Sequence, residues 1–415
     1  MHLRSWLAVL AFVLLCTLLF FSAVSTPAQE FASGAAPEAP AAPPGFVDRA
    51  LCNYLSIGAV PAGPLFAVHQ KGKMGLIDNT GKMVVPFEYT AIFDFSEGFA
   101  VVQSGRKFGY VDGTGKLAIP PRYSVAFPFC DGLAGVQIGR KWGYIDKTGT
   151  LIIQPQFKRA FGFSDGLAPV WVGNRLGYID KTGQMVIPPE NRGSQPFAFS
   201  DGMASVYLNG KWGAMDETGN IVIQPQYESR LKFSDGLAAV TIDGKVGYVD
   251  RTGRMAISPQ FQNGHEFSEG LAMVRVDGKV GYIDKTGQMV ITPQFPTGED
   301  FLNGLAAVET VAKWGFIDKT GQMVISPQFL GPSDFSAGRA AVKIGDKYGF
   351  IDTTGQMVIQ PQFRMVHPFS KGAAQVWAGD TWGLIDASGK YIWGPEKINT
   401  SCRSCWLEIP FLFLH

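Results

Sequence analysis

A glycine recurs along this chain at Gly75, Gly109, Gly143, Gly177, Gly213, Gly247, Gly281, Gly315, Gly349 and Gly383, every 34 residues apart from one interval of 36. Ten copies of one short unit restrict the fold more than any other feature, because each copy must adopt the same local structure and bury its apolar face against its neighbours. Around each glycine the pattern is strand-like: in Trp142-Gly143-Tyr144-Ile145 alternate side chains fall on opposite faces. An aspartate follows three places after the glycine, then x-Thr-Gly in nine copies and Ala387-Ser388-Gly389 in the tenth. Asp at the start of a type I turn accepts a hydrogen bond from the backbone two residues on, and the glycine takes the left-handed conformation that closes the hairpin. A β-branched strand of the type Leu151-Ile152-Ile153 comes next, and the proline present in nine of ten copies, such as Pro155 and Pro225, is expected to end it, since it cannot donate to a ladder.

The other part of each unit reads Phe-Ser-Asp/Glu-Gly-Leu-Ala-x-Val. Phenylalanine fills its first position at Phe95, Phe129, Phe163, Phe199, Phe233, Phe267, Phe301, Phe335 and Phe369. Alanine and valine two apart, as in Ala238 and Val240, share one strand face, and the small alanine points to a close contact. Turns such as Asn209-Gly210, Asp243-Gly244 and Asp277-Gly278 join this strand to the next. The unit is a three-stranded antiparallel meander and the fold class all-β, in keeping with 50 glycines and 26 prolines, which disfavour helix interiors.

One filling of the hairpin, Asp146-Lys147-Thr148-Gly149-Thr150-Leu151, has the letters that surround the phosphate-accepting aspartate of P-type cation pumps. Pumping would require a nucleotide site and several membrane helices, yet the chain has a single long apolar run, from Trp6 to Val24. An aspartate needed ten times is a turn residue.

Lys-Trp-Gly with Tyr-Ile-Asp-Lys-Thr-Gly and Phe-Ser-Asp-Gly-Leu-Ala-x-Val resembles the bacterial WG, or KWG, repeat over about residues 60 to 395. The tryptophan itself stands only at Trp142, Trp212, Trp314 and Trp382, with Met74, Phe108, Leu176, Val246, Val280 and Tyr348 in other copies, so the position requires apolar volume. The resemblance implies a tandem β-repeat protein of bacterial envelopes or exports, with no shared enzymatic activity and no agreed ligand.

Two arrangements satisfy the stacking. An open, curved, solenoid-like array is expected, because no split unit joins the two ends and ten exceeds the usual number of propeller blades; a closed, propeller-like toroid is the alternative. The chain divides into residues 1–25, a signal peptide or signal anchor; 26–59, an Ala/Pro-rich linker and lead-in; 60–395, the repeat array; and 396–415, an apolar C-terminal tail holding Cys402-Arg403-Ser404-Cys405. His2 and Arg4 before the apolar run, and small residues after it, read as an export signal, with cleavage after Ser25 or Ala28 or retention as an anchor. An exported chain makes a disulfide for the CxxC pair, or a pairing with Cys52, a better reading than zinc, for which a second pair is missing.

His69, His265 and His367 lie far apart and outside metal or triad spacing, and a lysine opening the glycine-bearing strand in eight copies reads as a protected strand edge. With 36 basic and 35 acidic residues, no charge excess favours nucleic acid or anionic lipid. No cofactor, metal or catalytic residue is expected, and a membrane contact only through the N-terminal anchor. What varies between copies is the connection from the proline to the Phe-Ser motif: 158–162, 228–232, 262–266 and 330–334. The candidate partner-binding residues are therefore Lys158, Arg159, Glu228, Arg230, Gln262, His265, Glu266 and Asp334, on loops that stacking should align. The two extra residues of the 36-residue interval fall in the stretch 188–197, as a tolerated insertion or a bend. The expected function is a noncatalytic exported scaffold for a protein partner, with wall or surface glycan binding as the alternative.

Overall fold

The computed structural model describes residues 65–190, 197–333 and 335–397. The signal segment, the Ala/Pro linker, the CxxC tail, most of the 188–197 insertion and Asp334 lie outside the described residues. Each copy forms its own small antiparallel sheet, here called blades 1 to 10 in chain order from the copy at Gly75 to that at Gly383. In blade 3 the strands are Val125–Ala126, Ala134–Ile138, Lys141–Ile145 and Leu151–Phe157, side by side in that order. The last three are the expected meander and are called the first, second and third strands of a blade. Blades 2, 3, 4, 6, 7 and 10 add a short edge strand, formed by the incoming connection or, in blade 6, by Phe233–Ser234; among the described residues blades 1, 5, 8 and 9 have three strands.

The proline does not end the third strand. Leu151–Phe157 runs through Pro155, because the ladder is bulged there: Tyr144 faces Ile153 while Trp142 faces Phe157, leaving the intervening residues opposite Gly143. A residue inside a bulge has no ladder bond to lose, so proline is tolerated. The same bulge explains the repeated glycine, since a Cβ on Gly143 would lie 2.4 Å from the Ile153 carbonyl oxygen. Backbone meets backbone at this position in every blade.

Aspartates turn the hairpins as expected. Asp146 Oδ1 accepts from the Thr148 hydroxyl at 2.6 Å and from the amides of Thr148 and Thr150 at 2.9 and 3.0 Å, and Gly149 has φ +83°.

Apolar side chains of adjacent blades form one core cluster after another. Tyr144, Ile153 and Phe157 of blade 3 pack with Phe163, Ala168 and Val170 of blade 4. Tyr144 meets Phe163 edge to face, and its hydroxyl donates to the Phe161 carbonyl at 2.8 Å, so a fully buried phenol keeps its hydrogen bond. The hairpin glycine of each blade lies against the third strand of the preceding one: Gly149 against Ile119, Gly389 against Ile359.

That rule also decides between the two arrangements. Gly81, in blade 1, lies against Ile392 of blade 10, and Val68 and Ile77 share a core cluster with Trp377, Trp382 and Leu384. His69 stacks on Trp382, and Phe87 packs on Trp393. The array is a closed, ten-bladed, propeller-like ring, the second of the two forms, and the open form is not adopted. Closure needs no split unit because the free face of blade 10 is complementary to that of blade 1.

A polar chain accompanies the core around much of the ring. In the Phe-Ser-Asp/Glu-Gly turns, Ser164 Oγ donates to the Phe199 carbonyl of the next blade and Asp131 Oδ2 accepts the next blade's Gly166 amide, at 2.8 and 2.9 Å. The next blade also sends a cation from its hairpin to the same acid: Lys147 to Glu97, Arg251 to Asp201, Lys285 to Asp235 and Lys319 to Glu269. Where the turn acid is replaced, by Asn303, Ala337 or Lys371, the facing hairpin position is uncharged (Thr353, Ala387, Asn79). One junction departs: Asp165 accepts from Gly202 beside Glu217, a second carboxylate.

Candidate functional site

The candidate site lies on the connections that lead from the third strand of one blade into the next. One position in them has a regular history. Phe93, Phe127, Phe161 and Phe197 hold it in blades 2 to 5 and Leu231 in blade 6, followed by His265, Glu299, Ser333 and His367. In the early blades this aromatic ring covers the residue before the repeated glycine; Phe127 stacks on Trp142 with centroids 4.6 Å apart, and Phe197 meets Trp212 at 5.1 Å. In blade 7 both partners shrink, to His265 and Val280. Volume removed on both sides leaves a hollow of about 230 Å³, with Met273, Val274 and Val280 as its apolar surface and Asn263, His265, Arg275 and Glu299 among its polar lining.

His265 is held from three directions. Its amide donates to the Met273 carbonyl at 2.9 Å, its carbonyl accepts the Tyr248 hydroxyl at 2.8 Å, and ring Nδ1 lies 3.2 Å from Asp300 of blade 8. The Asp300 hydrogen bond raises the imidazole pKa; burial opposes this, and the charges of Asp300, Glu299 and Glu266 add to it. Arg275 is committed locally, donating from Nη1 to the carbonyls of Gly278 and Pro296 at 2.6 and 3.0 Å. Glu266 meets Lys232 of blade 6 at 2.6 Å. Connections of blades 6, 7 and 8 are thus linked side by side through Lys232–Glu266 and His265–Asp300.

The structure brings Gln262, His265 and Glu266 together at this place. Gln262 Oε1 accepts the Gly278 amide at 2.8 Å, which ties the connection to the adjacent hairpin. Glu228 and Arg230 belong to the neighbouring connection: Glu228 is exposed and 3.4 Å from Lys211, while Arg230 covers the Phe197 ring at 4.4 Å. Lys158 and Arg159 lie farther round the ring, between blades 3 and 4, where Lys158 Nζ donates to Asn174 at 2.7 Å and Arg159 pairs opposite Trp171. Asp334 is outside the described residues. Arg275, Glu299 and Asp300 lie outside the stretches singled out from sequence, and Asn263 lies within the stretch 262–266. The change from Phe to His and Glu along one repeat position was the available signal for the hollow.

Among the described residues, no helix is long and apolar enough to cross a membrane, and no group of three or more His, Cys, Asp or Glu is placed to hold a metal ion. Solved structures with a related arrangement include a eukaryotic initiation factor, 13% identical with a TM-score of 0.43, the match covering 79% of this chain and 95% of that one. They also include PorZ, described as a surface component of the type-IX secretion system of Porphyromonas gingivalis, 10% identical with a TM-score of 0.27, covering 80% of this chain and 58% of that one. The extracellular domain of a one component system protein from B. thetaiotaomicron is 12% identical with a TM-score of 0.28, covering 81% and 58%. At these scores the likenesses say nothing about function. No curated protein matches the chain in sequence. The profile of the WG containing repeat matches nine consecutive segments between residues 74 and 376. With most of its length in such repeats, the chain belongs to the WG containing repeat family.

Proposed function

We propose that this protein is a noncatalytic, exported or envelope-associated scaffold that holds a protein partner along its connections. One observation carries the reading: the residues repeated in every blade are consumed by turns, bulges and core, whereas the connections differ in chemistry from blade to blade, and those of blades 6 to 8 are linked side by side. A row of different small contacts suits an extended partner gripped at several points, each weak alone. Export is supported by the N-terminal apolar run from Trp6 to Val24, with His2 and Arg4 before it and small residues after it.

Glycan binding is the second reading, and it would be favoured by a row of exposed rings on one face. Tyr207, 42% exposed, is the sole aromatic among the exposed large apolar residues described; the others are aliphatic, such as Ile152, Val186, Val222, Val290 and Val324. This favours protein over sugar. The test is a pull-down from envelope extract with the ring as bait. Exchanging one connection among 228–232, 262–266 and 296–300 for that of another blade weakens capture modestly, and exchanging all three abolishes it while the ring still unfolds cooperatively. Capture indifferent to all three exchanges, or a footprint on the Asp-x-Thr-Gly hairpins, refutes the assignment. Binding of wall polysaccharide lost in Tyr207→Ala would move the conclusion to the glycan reading.

A further inference from the structure

The two ends of the ring differ in what their charges do. In each meander the turn between the first and second strands lies at the same end as the connections, opposite the Asp-x-Thr-Gly hairpins. Lys158 of a connection donates to Asn174 of such a turn, and Gln262 accepts the Gly278 amide of another, at 2.7 and 2.8 Å. Cations at the hairpin end are neutralised by acids of the preceding blade, as Lys147 is by Glu97 and Lys319 by Glu269. At the connection end of blades 1 to 4 they are not.

Blades 1 to 3 each place two cations at the first-to-second turn: Lys71 and Lys73, Arg106 and Lys107, Arg140 and Lys141. Blade 4 adds Arg175 there, and the connection entering it adds Lys158 and Arg159. All of these residues are exposed, and none is within ion-pair distance of a carboxylate among the described residues. In the same turns (70–73, 104–107, 138–141, 172–175) and connections (90–94, 124–128, 158–162), Asp94 is the single acid.

The later blades carry the opposite chemistry at this turn. Where blades 1 to 3 have Lys71, Arg106 or Arg140, blades 6, 7, 9 and 10 have Asp243, Asp277, Asp346 and Asp380. Acids also stand in the later connections, where Glu228 meets Lys211 and Glu266 meets Lys232. Turn geometry does not call for the difference. Lys71 has φ +50°, the left-handed conformation that Asn209, Asp243 and Asp277 adopt at the same place with φ of 51°, 50° and 49°, and Asn or Asp enters it more readily than lysine. A cation stands where the turn favours another residue.

We propose that the connection end of blades 1 to 4 is a docking arc for an acidic, extended stretch of the protein partner, an assignment that rests on the scaffold reading above. Packed sheets lie about 10 Å apart, so the cation pairs recur at a step that an extended chain, at about 3.3 Å per residue, covers in about three residues. A segment of about ten residues with an acid at every third place meets each of the four blades in turn. A flat anionic membrane fits less well, because resting on this end it would also face Asp243, Asp277, Glu299 and Asp300 of blades 6 to 8, whereas a narrow chain follows the cationic arc alone. Each exposed pair is weak and screened by salt, so affinity comes from their number.

Fluorescence anisotropy on the full chain, with a labelled decapeptide carrying Glu at positions 1, 4, 7 and 10 and Ser or Thr elsewhere, tests the arc. The peptide should bind, and Gln at those four positions should weaken it at least about tenfold. Arg140→Glu combined with Lys141→Glu should weaken it about tenfold, the paired Gln variant somewhat less, and Lys245→Glu in blade 6 less than about twofold. No binding, equal binding of the Glu and Gln peptides, or equal effects of the blade 3 and blade 6 variants overturns the proposal. So does binding of phosphatidylglycerol vesicles or polygalacturonate that the blade 3 variant abolishes while the peptide stays unbound. The scaffold reading fails separately: partner capture lost in the connection exchanges but unmoved by the blade 3 variant refutes the arc and leaves the scaffold. Peptide binding lost in the blade 3 variant, with capture indifferent to the exchanges, upholds the arc and refutes the scaffold along the connections.

Discussion

Replacing Gly143 by alanine should be among the most damaging single-methyl changes available in this ring. The added Cβ would lie 2.4 Å from the Ile153 carbonyl oxygen, 2.9 Å from the Pro155 nitrogen and 3.0 Å from the Gln154 carbonyl carbon, where ordinary contact begins at about 3.4 Å. All three are backbone atoms, and the pairs Trp142–Phe157 and Tyr144–Ile153 clamp the bulge on either side. Relief therefore requires the third strand to move by roughly 1 Å, which puts the cost near the upper end of overpacking, about 3 kcal/mol. Gly166→Ala is the matched control: its φ is +80° but nothing lies within 4 Å, so it should cost about 1 kcal/mol of left-handed strain. Scanning calorimetry on the two variants should show a melting-point loss about three times larger for Gly143→Ala, each kcal/mol being worth about 2–4 °C or less in a protein of this size. Gly315→Ala, at the same repeat position and 2.4 Å from the Ile325 oxygen, should match Gly143→Ala and add to it, because the sites are far apart. A Gly143→Ala loss no greater than that of Gly166→Ala would refute the close-approach explanation.

The hairpin aspartates carry a further expectation. Asp146→Ala should destabilise by about 1–2 kcal/mol, since one carboxylate oxygen serves three donors at an exposed turn, with no phosphate ever trapped there. The Thr148 hydroxyl bond first, and the backbone amides after it, hold the Asp146 pKa below the usual carboxylate value. A depressed folded-state pKa adds stability that is present above the unfolded value of about 4 and lost as pH falls through the folded one, so melting points should drop below about pH 4. A flat profile from pH 6 to pH 3 would contradict this. His265 has the opposite sign: its raised pKa adds stability below about pH 6.5 that disappears as pH rises through the folded value, and Asp300→Asn should lower the His265 pKa seen by NMR. Finally, truncation after Gly331, which removes blades 9 and 10, should abolish cooperative unfolding, because it bares the apolar faces of both blade 1 and blade 8; a stable, proportionately weaker fragment would instead behave as an open array does.

Much of this molecule was legible in order of residues alone. The ten-fold register, the meander, the Asp-x-Thr-Gly turns and the burial of Phe163 and Ala168 depend on contacts within a blade or with the next one, and such contacts repeat in sequence as they repeat in space. Pro155 was misread as a strand end because a bulge is a property of two paired strands, and the letters of one strand do not display it. The same bulge supplied the reason for Gly143, which the sequence displayed ten times without explaining. Residues such as His265 and Glu266 were recognisable as variable connection positions, but their junction with Lys232 and Asp300 became visible only when blades 6 to 8 stood side by side. Ring closure lay furthest from reach. Each blade specifies how its neighbour packs, yet whether ten small rotations bring Gly81 onto Ile392 depends on their sum, and a small angle error per blade would separate blade 1 from blade 10. Sequence determined the unit and its count; the accumulated packing angle, a tertiary quantity, decided that the ends meet.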